Sequence, residues 1–419
     1  MRKVIGWSIV GYLLFALFLT WYLFYGANTL IPAELKGTAA DPETFLNTRE
    51  LLLTEEYSQI RNLLFFLNIP LEWIIYLFIL VLGISAKFRN WSKGTSNLSV
   101  LQTAIYVFYL SLIVKALTFP LQYVGYTLSK QYNITTQAFP GWMRDVIIDF
   151  WVNYAMTFLI VTVLYWLIRK STKRWWLYAW LASVPFALFL MFVQPVIIDP
   201  LYNEFYPLKD KELEAKILTL AAEANIPSEH VYEVNMSEKT NALNAYVTGI
   251  GSNSRIVLWD TTLNRLGDEE ILFIMAHEMA HYVMKHIYVG IAGYLLLTLV
   301  GLFIVHKLMA LCIQRYGSLL KVNDMRDIAS LPLFLLLISL LSFASSPFSN
   351  AVSRYQETSA DTYAIELTHN NEAAVETFQE LTKAGLSQVN PPFLVKIFRY
   401  GHPTMLERIT YLENYEKNE

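Results

Sequence analysis

Long apolar runs alternate with polar stretches along this chain. Residues 5–26, IGWSIVGYLLFALFLTWYLFYG, carry no charge and are long enough to cross a bilayer at about 1.5 Å per residue. Arg2 and Lys3 precede them. The run is longer than a signal-peptide core and lacks a small-x-small cleavage site, so it reads as an uncleaved first span. Further apolar runs at about 64–86, 101–123, 149–168, 175–195, 287–306 and 331–348 predict seven spans in all. Residues 27–62 are polar and acidic, with helix-forming segments between Pro42 and Arg61. Residues 196–286 form the longest stretch without a span, and the chain after 349 is polar again. No internal repeat or low-complexity linker interrupts this order. The pattern divides the chain into a five-span membrane domain (1–195), a polar segment (196–286), spans six and seven (287–349) and a polar C-terminal part (350–419).

Composition agrees with the periodicity. Of 419 residues, 55% are hydrophobic and 16% charged, against about 25% charged in a typical soluble domain. The net charge of -3 gives no nucleic-acid footprint. Cys312 is the single cysteine, so an intrachain disulfide and a cysteine-based zinc cluster are both excluded, and any metal must rely on His and carboxylate ligands.

The polar segment ends in DEEILFIMAHEMAHYVMKH, Asp268 to His286. Asp268 is expected as the N-cap of a helix, with Glu269 and Glu270 in the first turn, where the macrodipole favours negative charge. On that helix His277 and His281 stand at i and i+4 and project from one face, which suits two nitrogen ligands on one Zn²⁺. Glu278 lies about 100° round the helix, beside such a metal rather than on it, and suits a general base. A third protein ligand is needed. Glu357 and Asp361, in NAVSRYQETSAD from Asn350, share a helix face. Glu357 is the expected ligand, and Asp361 the acceptor for the second ring N–H of a ligating His. Arg354 is expected to pair with a carboxylate, and Asn350 to support the same segment. His286, Glu366 and His369 are rival ligands, with His286 badly placed on the helix face. His402, in GHPTMLER, is either an oxyanion donor or a plain loop histidine.

Membrane parity allows this assembly. The His277 helix precedes span six and Glu357 follows span seven, so two crossings return the chain to the same side. Short loops on the opposite side carry Arg2, Lys3, Lys87, Arg89, Lys93, Arg169, Lys170, Lys173, Arg174, Lys307, Arg315, Lys321 and Arg326. That bias makes their side cytoplasmic and turns the metal side away from the cytoplasm. Glu72, Lys115, Asn153 and Gln194 fall inside spans and are expected to face the bundle interior or a wet cavity, or simply to bond between helices.

Ala245–Ile250 and Arg255–Trp259 are β-prone and flank a Gly/Ser/Asn turn, so a hairpin is expected. Its edge at Asn244, Ala245 and Tyr246 would pair with an extended peptide through backbone hydrogen bonds; a purely structural hairpin is the competing view.

Several motifs in order make the chain resemble the CAAX prenyl protease type 1 family of integral-membrane zinc endopeptidases. They are YTLSKQYNITTQAFPGWMRD (126–145), QPVIIDPLYNEFYPL (194–208), NAYVTGIGSNSRIVLWDTTL from Asn244, HEMAH, NAVSRYQETSAD and GHPTMLERI. The resemblance implies a mainly α-helical polytopic protein, with seven helices round a water-filled chamber and a zincin-like α+β domain closing one end. It implies one Zn²⁺ on His277, His281 and Glu357, Glu278 as base, His402 near the oxyanion, and Asn244 and Ala245 at the substrate backbone. It also implies a zinc domain in the cytosol, opposite to the charge bias. A peptide or protein substrate, membrane-associated or lipidated, is the expected partner, in a bacterial cell membrane or, for a eukaryotic chain, the endoplasmic reticulum. The rival readings are a general membrane-protein quality-control protease and a non-enzymatic polytopic transporter or scaffold.

Overall fold

The computed structural model of this protein describes residues 2–226, 230–248 and 255–415. Among them, six helices are long and apolar enough to cross a membrane, or seven if a helix pair bent by 42° between Trp175 and Tyr202 counts as one span. The first is α1 (Arg2–Trp21), extended by a π-helical turn to Gly26. The second, α2 (Thr48–Val81), starts well before the predicted apolar run. Asn47 caps it, accepting from the Arg49 and Glu50 amides while Glu50 reaches back to the Asn47 amide at 2.9 Å. The polar region up to Arg61 is therefore the first half of the same helix. Its end is also earlier than the apolar pattern implies. Gly83 sits in the left-handed region at φ 71° and turns the chain into α3 (Ile84–Thr95). Helices α4 (Ser99–Gln131), α5 (Phe139–Lys170) and α6 (Trp175–Val193) complete the first half. The bend after α6 falls at a π-helical turn, Gln194–Ile198, whose Pro195 cannot donate to the preceding turn.

Beyond it the chain forms a small mixed sheet. β1 (Phe205–Pro207), β2 (Val231–Val234), β3 (Ala245–Thr248) and β4 (Arg255–Trp259) lie in the order β1-β2-β4-β3. β3 and β4 pair antiparallel, as the hairpin reading requires, while the expected turn and Ile250 lie outside the described residues. Helix α7 (Lys211–Glu223) lies between β1 and β2, and α8 (Asp268–Val283) follows β4. Helices α9 (His286–Leu320) and α10 (Leu331–Thr368) cross back, and α11 (Asn371–Gly385), α12 (Phe393–Arg399) and α13 (Met405–Glu413) finish the chain. With 38 residues, α10 reaches about 57 Å at about 1.5 Å per residue. It therefore spans an apolar core of about 30 Å and projects well beyond it.

Two cores mark the two ends. One joins Ile217, Ile256, Phe273, Met279, Phe378 and Ile409, from α7, β4, α8, α11 and α13. The other joins Ile79, Phe88, Tyr165, Trp175, Met309 and Leu320. This second cluster gathers the segments around Lys87, Arg174 and Lys321 at a single end, where Arg89 pairs with Asp327 and Ser85 bonds both Tyr106 and the Ala329 carbonyl at 2.6 Å. The basic loops are thus neighbours, as their shared sidedness demands.

Between α2, α4 and α5 lies a cavity of about 590 Å³ lined by Asn68, Glu72, Lys115, Asp149 and Asn153 among others. Lys115 pairs with Asp149 at 3.2 Å, and Asn153 donates to the same carboxylate at 2.6 Å. Glu72, Lys115 and Asn153 therefore face a cavity, as charged groups in spans are expected to do. Gln194 is exposed at the helix break.

Candidate metal centre

The site is built where α8 crosses the projecting end of α10. The cap of α8 stands one residue earlier than its sequence implies. Gly267 is extended and serves as N-cap, Asp268 opens the helix, and Glu270 accepts from the Gly267 amide at 2.6 Å. Glycine leaves room there, so the third helical residue, not a capping side chain, closes the box. The helix buries Ile271, Phe273, Met275, Ala276 and Met279 against the core and turns His277, Glu278 and His281 toward α10.

His277 Nε2 lies 3.2 Å from Glu357 Oε2, and His281 Nε2 lies 3.5 Å from Glu357 Oε1 and 3.3 Å from His277 Nε2. One ligating atom from each of His277, His281 and Glu357 falls within 4.8 Å of the others. Glu357 Oε2 is buried with no hydrogen-bond partner, a cost that a cation between these three groups removes. Two imidazole nitrogens and a carboxylate are a donor set that suits zinc. The residues fit a metal ion.

Behind His277, its Nδ1 contacts Asp361 Oδ1 at 2.8 Å. That bond fixes the Nδ1–H tautomer and leaves the Nε2 lone pair facing the site. Asp361 in turn accepts two bonds from Arg408, from Nε at 2.8 Å and Nη2 at 2.5 Å. Arg408 is 7% exposed and its Cζ lies 4.0 Å from the Phe378 ring centroid. Sequence reasoning quoted the segment that holds Arg408 but missed its role. Its partner is 47 residues away, beyond any local spacing rule.

Charge differs across the site. Burial disfavours the charged form of His277, but the bond to Asp361 and the nearby Glu357 carboxylate outweigh it and push the imidazole up to about 9. A cation seated on Nε2 competes for the lone pair that would hold that proton. His281 is pushed down to about 4, by burial first and then by the positive His277. Burial raises the Glu278 carboxyl above the usual range, Glu357's charge adds to it, and His277, Arg408 and the Val247 amide of β3 oppose it.

β3 is the edge of the sheet. The Trp259 amide donates to the Asn244 carbonyl at 3.1 Å, and Tyr246 faces Val257 in register. By antiparallel alternation the backbones of Asn244 and Tyr246 turn toward β4, whereas Ala245 and Val247 turn outward. The outward amides are already bonded, Ala245's to Asn244 Oδ1 and Val247's to Glu278, so the carbonyls of Ala245 and Val247 form the open backbone edge, and Val247 was not singled out in the sequence. The exposed Asn244 contributes its side chain, whose Oδ1 accepts from the Ala245 amide at 3.0 Å.

The remaining expected residues sort by contact. His402 Nε2 lies 3.4 Å from Glu357 Oε2 with its side chain 66% exposed, so it stands at the open side of the cluster. Among the described residues Arg354 pairs with no carboxylate; it donates to the Lys396 and Tyr400 carbonyls at 3.1 and 2.8 Å. Asn350 donates to the Ile397 carbonyl at 2.9 Å. Both tie α10 to the segment leading into His402, because α12 ends there with carbonyls that lack helical partners. Of the rival ligands, His286 Nδ1 contacts His281 Nδ1 at 3.0 Å, behind the ring rather than at Nε2. Glu366 accepts from Tyr415 at 2.8 Å, and His369 is the left-handed C-cap of α10.

Comparison with known proteins agrees with this geometry. Residues 207–416 match the model of peptidase family M48, and residues 21–204 match that of the CAAX prenyl protease N-terminal region, described as five membrane helices. The chain is 57% identical to the "Uncharacterized metalloprotease YhfN" of Bacillus subtilis over 99% of its length and 98% of the relative's. It is 29% identical to the CAAX prenyl protease 1 homolog of Dictyostelium discoideum over 68% of this chain and 67% of that one. The crystal structure of S. mikatae Ste24p superposes with a TM-score of 0.81 at 24% identity, covering 98% of this chain and 97% of the other, and so shares the fold. The chain belongs to peptidase family M48. It is an integral, multi-pass membrane metalloprotease that acts on peptide or protein substrates.

Proposed function

We propose that this family M48 member is a zinc endopeptidase in which His277, His281 and Glu357 hold one Zn²⁺ and Glu278 is the general base. The observation that carries the reading is the convergence of the three ligating groups round a Glu357 oxygen that has no hydrogen-bond partner. When bound, zinc supplies a Lewis acid and makes water acidic near neutral pH. The chain's own groups do the rest. Asp361 and Arg408 hold the His277 ring in one tautomer and one orientation. Glu278, beside the ligands, takes the proton from the attacking water and returns it to the leaving amine. Its bond from the Val247 amide ties the base to the strand on which the substrate lies. An extended peptide adds to β3 by donating to the outward carbonyls of Ala245 and Val247, with Asn244 contributing its side-chain amide. His402, exposed at the open side, donates to the carbonyl oxygen as negative charge develops.

The substrates are extended, membrane-associated peptides, lipidated ones included, since the site lies where projecting helices meet the membrane domain. A farnesylated CAAX peptide assayed beside its unmodified twin separates a prenyl protease from a general membrane-protein protease. Glu278→Ala tests the mechanism: zinc content should stay near that of the wild type while peptide hydrolysis falls by about 10²–10⁴-fold, the range for losing a general base. Wild-type rates in this variant would sink the assignment.

A further inference from the structure

At the basic end, far from the metal centre, three membrane boundaries coincide. The apolar run of α5 ends at about 168, that of α6 begins at about 175, and that of α9 ends at about 306. Arg169 and Lys170 follow the first, Lys173 and Arg174 precede the second, and Lys307 follows the third. The turn from α5 to α6 is tight. The Ser171 amide donates to the Leu167 carbonyl and the Trp175 amide to the Ser171 carbonyl, each at 2.9 Å, so four cations are held within six residues. α9 joins them at the same depth. Trp175 Nε1 donates to His306 Nδ1 at 3.0 Å, and the Trp176 and Phe303 rings meet edge-on at 5.1 Å. Arg174 and Lys307 therefore flank one bonded pair, from two different helices.

These five cations are exposed. Among the described residues none of them has an Asp or Glu oxygen within 4.0 Å. The acidic residues between α9 and α10, Asp324 and Asp327, are held by Arg326 and Arg89. Aromatic rings fix the depth of the cations instead. Lys170 Nζ lies 4.9 Å from the Trp166 ring centroid, and Lys307 Nζ 5.5 Å from that of Phe303. Both rings are themselves open, Trp166 at 56% and Phe303 at 42% exposure, and each lies at the end of an apolar run, where aromatic side chains mark headgroup level.

A ring holds an ammonium group without cancelling its charge, so five like charges remain at one depth. A soluble anion relieves their repulsion but leaves the rings uncovered. A phospholipid with net negative charge satisfies both, with its phosphate among the cations and its chains against the rings. A zwitterionic headgroup brings its own cation against the same five charges. We propose that the α5–α6 turn and the facing part of α9 form a site for one anionic phospholipid. Arg174 and Lys307 hold its phosphate, Trp176 and Phe303 pack on the first segment of its chains, and the remaining cations add attraction over a longer range.

The test is native mass spectrometry of the full-length protein, titrated at fixed salt with phosphatidylglycerol and with phosphatidylcholine of the same chains. The first phosphatidylglycerol should bind at least tenfold tighter than phosphatidylcholine. Arg174→Gln and, separately, Lys307→Gln should each weaken it about fivefold, the effect of one cation beside an anionic headgroup, and leave phosphatidylcholine within twofold. Lys307→Arg should retain the preference. Arg315→Gln is the control. Its Cζ also sits over a ring, 5.6 Å from the Tyr316 centroid, but eight residues further on, about 12 Å along α9, and its loss should change the affinity less than twofold. Equal affinity for the two lipids would overturn the site. So would a loss in Arg315→Gln as large as in Lys307→Gln, which would make the basic end a diffuse charged surface. Displacement of phosphatidylglycerol by millimolar inorganic phosphate, but not by chloride at equal ionic strength, would assign the cluster to a soluble anion and overturn the proposal.

Discussion

At the scale of single residues, the site is a chain of support running from the ligating nitrogen of His277 to the interior. Asp361 orients the ring, and Arg408 neutralises Asp361 with two bonds in a site where both are nearly inaccessible. Such a pair is costly to break from one side, because the remaining charge stays buried. Arg408→Met should therefore lower the thermal midpoint by an amount equivalent to about 3–5 kcal/mol and weaken zinc affinity about 10–100-fold, read by competition with a chelator. Unchanged zinc affinity would mean that Arg408 serves only the fold. The residues legible beforehand were those whose relation is local. His277, Glu278 and His281 follow from helical spacing, and Glu357 with Asp361 from a second i, i+4 pair. Arg408 and the edge-on contact of His286 with His281 were not legible, the first because its contact joins distant segments, the second because α8 breaks at Met284 and Lys285. Lys285 adopts a left-handed conformation at φ 59°, so the 3.6-residue count from His277 no longer predicts where His286 points.

At the scale of elements, hydropathy found the spans but not their limits. It records where residues meet lipid, and α2 and α10 continue as helices far past that boundary. The polar residues of those extensions carry helix-forming patterns of their own, and capping at Asn47 and packing against α8 join them to the spans as continuous helices. The gathered basic loops bear on orientation. With the segments near Lys87, Arg174 and Lys321 at one end, the positive-inside rule predicts a cytoplasmic position for that end and the opposite side for the metal centre, whereas the family resemblance implies a cytosolic metal centre. In a Cys312→Ser background, Lys36→Cys should react with a membrane-impermeant maleimide on intact cells and Lys93→Cys should not; both lysines are exposed. The reverse pattern would set the metal centre in the cytoplasm.

At the scale of the whole molecule, the metal centre depends on distant parts of the chain. The core behind it takes residues from before α9 and after α10, so two membrane crossings lie between the histidines and Glu357. These two crossings were readable from the apolar runs, at 287–306 and 331–348. The cavity was foreshadowed only by isolated charges in spans, and its shape needed the packing of α2, α4 and α5. The account stands on these two halves meeting round a single ion. The most direct check is the metal content of the purified protein beside that of Glu357→Ala. The wild type should carry about one zinc per chain and the variant far less, with peptide hydrolysis falling in step. Undiminished zinc in Glu357→Ala would contradict the assignment and move the third ligand elsewhere.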